Sequence, residues 1–171
     1  MSPPEAVVEL AVTVRFPWAA ALAYGPKRVE NRGRRIHPRH HGRLIAIHAG
    51  STVATNAMQD QRITRWLKCQ PREVGHRIAE LGGAEMRYLH GQVLAVATIA
   101  GCHQASSTEA CCGPWGDREY LTPGQPAWHI ELSDPVKFCT PVGPVRGALN
   151  VPWTLPGDVA DRVTAEYLRS R

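Results

Sequence analysis

The stretch from Arg15 to Gly50, with the strand signal that leads into it, constrains the fold more than any other part of the chain. Leu10 to Phe16 alternates and is rich in β-branched residues, the pattern of a strand. Pro17 suits the first position of a helix, and Trp18 to Tyr24 is short and alanine-rich. Gly25-Pro26 stops that helix. Lys27 to Arg32 reads as a second short extended segment and Gly33 to Gly42 as a basic loop. Arg43 to Ala49 reads as a strand buried on both faces. Charged residues thus fall between apolar strand signals instead of in a free tail. Lys27, Glu30 and Arg32 are then presented by rigid elements, which a binding or catalytic site requires.

Further along, Thr55 to Cys69 and Val74 to Leu81 have helical periodicity. Met58, Ile63, Trp66 and Leu67 share one face of the first, and Val74, Ile78 and Leu81 one face of the second. Gln92 to Cys102 is the strongest buried strand. Ser106 to Pro126 is expected to be a long loop. Trp128 to Leu132 reads as a strand, Ser133-Asp134-Pro135 as a turn, and Val136 to Thr140 and Val145 to Leu149 as two more strands. Asp158 is placed to cap a final helix that ends near Tyr167. Many short strands with a few connecting helices predict an α+β fold built on a small mixed β-barrel.

A chain of 171 residues with 43% hydrophobic content suits one domain with a real core, spanning 1–171. It has no run of 18 apolar residues, so no membrane span is expected. The N-terminus carries Glu5 and Glu9 and no basic leader, which argues against a secretory signal. Five cysteines in no regular framework point to free thiols and a cytoplasmic location. Cys102-His103 and Cys111-Cys112 offer metal-ligand chemistry, but adjacent ligands are awkward and no Cys-x-x-Cys is present. No metal and no cofactor are therefore expected. The sequence leaves the oligomeric state open.

Net charge is +5, and its distribution says more than its size. Between Lys27 and Arg43 lie Arg28, Arg32, Arg34, Arg35 and Arg39, with His37, His40 and His41, and Glu30 is the only acid there. Such a window is either a solvated basic loop or a rim that grips phosphate oxygens with Arg forks.

Three blocks of the sequence resemble the ASCH family, a branch of the PUA-like β-barrels that handle RNA and modified nucleosides. The first is Phe16-Pro17-Trp18, then Gly25-x-Lys27-x-x-Glu30-x-Arg32, then Gly42-Arg43 and His48-Ala49. The second is Gly91 to Cys102. The third is Trp128 to Pro135, then Val145-Arg146-Gly147 and Trp153. The segment from about 52 to 89 would be a helical insertion. The first block is also similar to a small bacterial ASCH amidohydrolase acting on N4-acetylcytidine, which uses a Lys-x-x-Thr pair and a Glu from the central strand. The matching positions here are Lys27, Glu30 and Thr98, with the hydroxyl and the carboxylate exchanged.

The resemblance implies a pocket around Lys27 and Glu30. A desolvated Lys27 can be an uncharged base, Glu30 can pass a proton, and Thr98 supplies a hydroxyl. Strict alternation puts Lys27 and Glu30 on opposite faces, so they converge only if Lys27 lies in the turn after Pro26. Trp18 could stack on a base, and Trp115 could form a second stacking wall. Asn31 could read a base edge. Arg32 and Arg43 could hold phosphate or lock Glu30, the second being the better role for Arg32. His48 ends a buried strand, either as a core histidine or as a ligand contact, and Ser51 follows it in a loop. Arg28, Arg34, Arg35 and Arg39 make up the candidate nucleic-acid rim. The expected partner is RNA or a modified nucleoside. The alternatives are a small enzyme on nucleic-acid components, whether amidohydrolase or ribonuclease, and a protein-interaction domain.

Overall fold

A computed structural model describes residues 6–69, 89–106 and 110–171. Its framework is one six-stranded mixed sheet in the order β2-β5-β4-β3-β1-β6. The strands are β1 (Leu10–Phe16), β2 (Val29–Arg32), β3 (Leu44–Val53), β4 (Gln92–Gln104), β5 (Trp128–Val142) and β6 (Trp153–Thr154). β1 and β3 run parallel, and the remaining neighbours are antiparallel. The sheet curls into a half-barrel whose edge strands β2 and β6 do not pair, so the expected closed barrel is open. The α+β class holds.

Alternation along the strands builds a core on each face of the sheet. Leu10, Val12, Val14 and Phe16 of β1 join Ile45, Ile47 and Ala49 of β3 and Leu94 and Ile99 of β4 in one core. The helix α1 (Trp18–Ala23) lies in that core, and its residues Ala19 to Ala23 are all buried. Small side chains let this short helix sit close to the sheet. On the other face, Ala11, Ala46, Val93 and Val96 pack with Phe138, Trp153 and the C-terminal helix α3 (Gly157–Ser170). Val159, Val163 and Tyr167 of α3 are buried, as their spacing predicts. Each fully buried Phe, Leu or Ile contributes about 1.5–3 kcal/mol, so these two clusters hold the framework.

Several expected elements are drawn differently. The helical pattern from Thr55 to Cys69 breaks at Asp60, which is extended and caps α2 (Gln61–Lys68) by accepting from the Arg62 N–H at 2.8 Å. A 3-10 helix at Thr55–Gln59 precedes it. Ser133-Asp134-Pro135 is not a turn between strands. Asp134 takes a positive φ of 49° inside continuous β5, where the register against β4 shifts. Such a bulge absorbs the extra residue and bends the strand without ending it. Val145 to Leu149 is not a strand, although the Val145 N–H donates to the Gly91 carbonyl at 2.6 Å. Asp158 lies within the first turn of α3, which begins at Gly157 after Pro156. The expected helix from Val74 to Leu81 lies outside the described residues, as does half of the insertion from 52 to 89. Among the described residues no helix is long and apolar enough to cross a membrane.

Candidate functional site

The open half of the barrel holds a cleft of about 1110 Å³. Its walls come from Trp18 of α1, the Lys27–Arg32 segment, the C-terminal end of β3, residues 117–121 and residues 145–149. Seven candidates from the sequence, Trp18, Lys27, Glu30, Asn31, Arg32, His48 and Ser51, line it together.

Lys27 precedes β2, in the turn after Pro26, so the alternation that would separate it from Glu30 does not apply. Its Nζ donates to Glu30 Oε2 at 3.2 Å and to the Val29 carbonyl. Glu30 Oε1 lies 3.1 Å from Arg32 Nε, and an Arg32 Nη2 hydrogen bond to the Thr13 carbonyl fixes that guanidinium. Lys27 and Glu30 are 2% and 7% exposed, so the pair is desolvated although it borders the cleft. Burial pushes the Lys27 ammonium below its usual range, and the Glu30 charge and hydrogen bond oppose this without cancelling it. The arrangement offers a fixed donor, a fixed acceptor and an amine that loses its proton more easily than a surface lysine.

A second network lines the same cleft. His48 Nδ1 lies 3.1 Å from Thr13 Oγ1, and its Nε2 lies 2.9 Å from the Val145 carbonyl. A carbonyl only accepts, so Nε2 carries the proton and Nδ1 accepts from the Thr13 hydroxyl. Trp153 Nε1–H then donates to Thr13 Oγ1 at 3.1 Å. Burial lowers the His48 pKa, against the opposing pull of the Val145 and Gly91 backbone acceptors. Gly147 closes over this pair. A Cβ there would stand 2.5 Å from Thr13 Oγ1 and 2.6 Å from His48 Cε1, which only glycine avoids.

The aromatic wall is braced from behind. Trp18 meets Trp115 edge-on with ring centroids 6.4 Å apart, and the Arg62 guanidinium lies 5.1 Å from the Trp18 ring centroid. Arg62 is itself held by Asp60 and by Asp117 Oδ1 at 2.7 Å. Asn31 Nδ2 donates to the Trp115 carbonyl at 3.0 Å and to Asp117 Oδ2 at 2.8 Å, and Asn31 Oδ1 accepts the Asp117 N–H at 3.1 Å. Its amide is spent on holding the 115–117 turn, so base reading by Asn31 is replaced by a scaffolding role.

Other candidates fall elsewhere. Thr98 does not line the cleft. It pairs with Leu44 at the start of β3, whereas β3 lines the cleft only from His48 onward, at its other end. Trp115 is buried in the core on the α1 face and is not a cleft wall. Arg43 precedes β3 and pairs with Glu9 at 2.6 Å. Arg28 is exposed and braces its own turn through the carbonyls of Gly25 and Lys27. Arg34, Arg35 and Arg39 are exposed on the loop before β3, outside the cleft.

Sequence reasoning missed Thr13, Asp117 and Gly147. A polar residue sharing a strand face with Ala11 was a usable signal for Thr13. Asp117 carried no signal, because only the fold brings it to Asn31 and Arg62. Cys111 and Cys112, whose adjacency looked awkward for one centre, are brought to the same place by the fold. Their thiols gather with His103 and His129, the four ligand atoms lying within 4.8 Å of one another.

No family model matches the chain, and no curated protein matches it. Among solved structures the fold is similar to that of a mutant of the ASCH protein ZmASCH from Zymomonas mobilis, at 16% identity and a TM-score of 0.51. The match covers 95% of this chain and 98% of that one. The likeness is one of fold, and it agrees with the α+β half-barrel described above.

Proposed function

We propose that the cleft binds a nucleobase, presented by single-stranded RNA or by a modified nucleoside. The observation that carries this reading is the buried Lys27–Glu30–Arg32 cluster opening onto a large cleft beside Trp18. An indole that shares a wall with a rigid donor and acceptor matches the two demands of base recognition, stacking and edge hydrogen bonding. Cleft charges are balanced: Arg15, Lys27, Arg32 and Arg146 face Glu30, Asp60, Asp117 and Glu119. That balance suits a neutral base better than a run of phosphates. The exposed Arg34, Arg35 and Arg39 lie outside the cleft, where phosphates flanking a bound base would meet them.

The test is a tryptophan-fluorescence titration with N4-acetylcytidine and with short single-stranded RNA at several salt concentrations. Saturable nucleoside binding that ignores salt, together with RNA binding that weakens with salt, supports the reading. Absence of saturation by both would end it.

A second reading is amide hydrolysis of an acylated cytidine. It is favoured by one observation, the lowered pKa of buried Lys27, which raises the share of neutral amine available as base or nucleophile. Release of cytidine from N4-acetylcytidine, lost in Lys27→Met, would establish it. Binding without turnover would leave the first reading alone.

A further inference from the structure

We propose that His103, Cys111, Cys112 and His129 form a structural zinc site that pins the loop from Cys111 to Asp117 to the sheet. The proposal is independent of what the cleft binds.

The two histidines are register partners on β4 and β5, so their rings share one face of the sheet, with centroids 5.1 Å apart. The loop then carries both thiols to them. Cys111 Sγ lies 3.3 Å from His129 Nδ1, and Cys112 Sγ lies 3.6 Å from His103 Nε2. Zinc bonds of about 2.3 Å to sulfur and about 2.0 Å to nitrogen, at tetrahedral angles, put such atoms about 3.6 Å apart. Both thiol–imidazole pairs have the spacing of a tetrahedral Cys2His2 shell, all four ligand atoms lie within 4.8 Å of one another, and four protein ligands would close the site to substrate. Two thiols and two imidazoles select zinc over magnesium or calcium, which require oxygen.

The histidines are oriented as ligands. In each, the nitrogen away from the thiols contacts a hydrogen-bond acceptor. His103 Nδ1 lies 2.8 Å from Glu131 Oε1, and His129 Nε2 lies 2.8 Å from the Asp117 carbonyl. Each outer nitrogen then carries the proton, leaving the inner nitrogen a lone pair for metal. Glu131 acts here as a positioning residue.

The backbone answers the objection that adjacent cysteines are awkward ligands for one centre. Cys112 takes a φ of 60°, a left-handed conformation uncommon outside glycine, and Gly113 follows with the same φ. This turn swings the second thiol back beside the first. Gly116 lets the loop close, since a Cβ there would stand 2.4 Å from the Cys111 carbonyl oxygen and 2.9 Å from His129 Cε1. The pinned loop ends at Asp117, which Asn31 and Arg62 grip at the cleft.

The experiment is metal analysis of the reduced full chain after loading with Zn2+ and gel filtration, paired with a Co2+ titration. About one zinc per chain is expected. With cobalt, visible bands of tetrahedral intensity and a thiolate charge-transfer band are expected. Cys112→Ser should lose the zinc, whereas exposed Cys139→Ser should keep it. Glu131→Gln should keep the site but weaken its affinity about 10–100-fold. Should Cys112→Ser not fold, the cobalt spectrum of the natural sequence decides. A reduced natural chain that retains no zinc and gives no tetrahedral cobalt spectrum overturns the proposal. So does zinc retained equally in a folded Cys112→Ser chain.

Discussion

Glu30 divides its carboxylate between two cations, and the share given to Lys27, at 3.2 Å, is the one that burial works against. Lys27 is the more desolvated of the two residues, yet Glu30 would keep Arg32 at 3.1 Å if Lys27 lost its charge. The two members of the pair are therefore not equivalent. Glu30→Gln leaves Lys27 and Arg32 without their shared carboxylate and should cost about 3–5 kcal/mol, the usual penalty for an uncompensated buried charge. Lys27→Met leaves a paired Glu30 and should cost on the order of 1 kcal/mol or less. Urea unfolding of both variants measures the difference. The reverse order would make Lys27 the keystone of the cluster.

Asn31 joins β2 to the 115–117 turn through three hydrogen bonds. Asn31→Ala leaves part-buried partners unmet and should lower stability by about 1–3 kcal/mol. Amide exchange in residues 115–117 should accelerate with it. A variant of unchanged stability but altered ligand affinity would return Asn31 to the base-reading role.

Gly147→Ala places a methyl group against Thr13 and His48. The neighbours are held by their own hydrogen bonds, so the segment of residues 145–149 has to move, at a cost of about 1–3 kcal/mol. The expected signature is a fall in urea midpoint together with a changed His48 imidazole resonance. An unperturbed His48 would show that the segment yields freely.

Acid should loosen the C-terminal helix through Glu166. Its burial works against ionisation, but the Arg169 guanidinium, the Thr140 N–H and the Ser170 hydroxyl together hold its carboxyl below the ordinary 4.5. A depressed folded pKa means the unfolded chain binds the proton more readily. The contribution is thus present in full above about 4.5 and is lost as pH falls through the lower folded value. Glu166→Gln should flatten the stability profile in that acid window and leave its shape above pH 6 unchanged, read by urea midpoints across pH. An identical acid slope in the variant would clear Glu166 of the role.

Much of the framework was legible because period-two alternation in β1, the continuous apolar runs of β3 and β4 and the α3 spacing are local signals. Lys27 and Glu30 were legible too, since Pro26 breaks the alternation that would separate them. What escaped depends on long-range pairing. Thr98 looked equivalent to a cleft hydroxyl until the strand register placed it beside Leu44 and Ser133, at the end of β3 away from the cleft. Trp115 looked like a second stacking wall of the pocket, yet the fold buries it in the core, where Asn31 holds its carbonyl. The openness of the barrel could not be read either, because edge pairing of β2 and β6 is a property of curl and not of any one strand.

The most direct test of the central claim is to map, by NMR, which amides and indole N–H groups shift when N4-acetylcytidine, and separately short single-stranded RNA, is added. The cleft reading predicts shifts at the Trp18 indole and at Lys27, Glu30, His48 to Thr52 and Arg146 to Leu149 with both ligands. RNA alone should also move Arg34, Arg35 and Arg39. Shifts confined to the Arg34–Arg43 loop, with the cleft silent for both ligands, would contradict it.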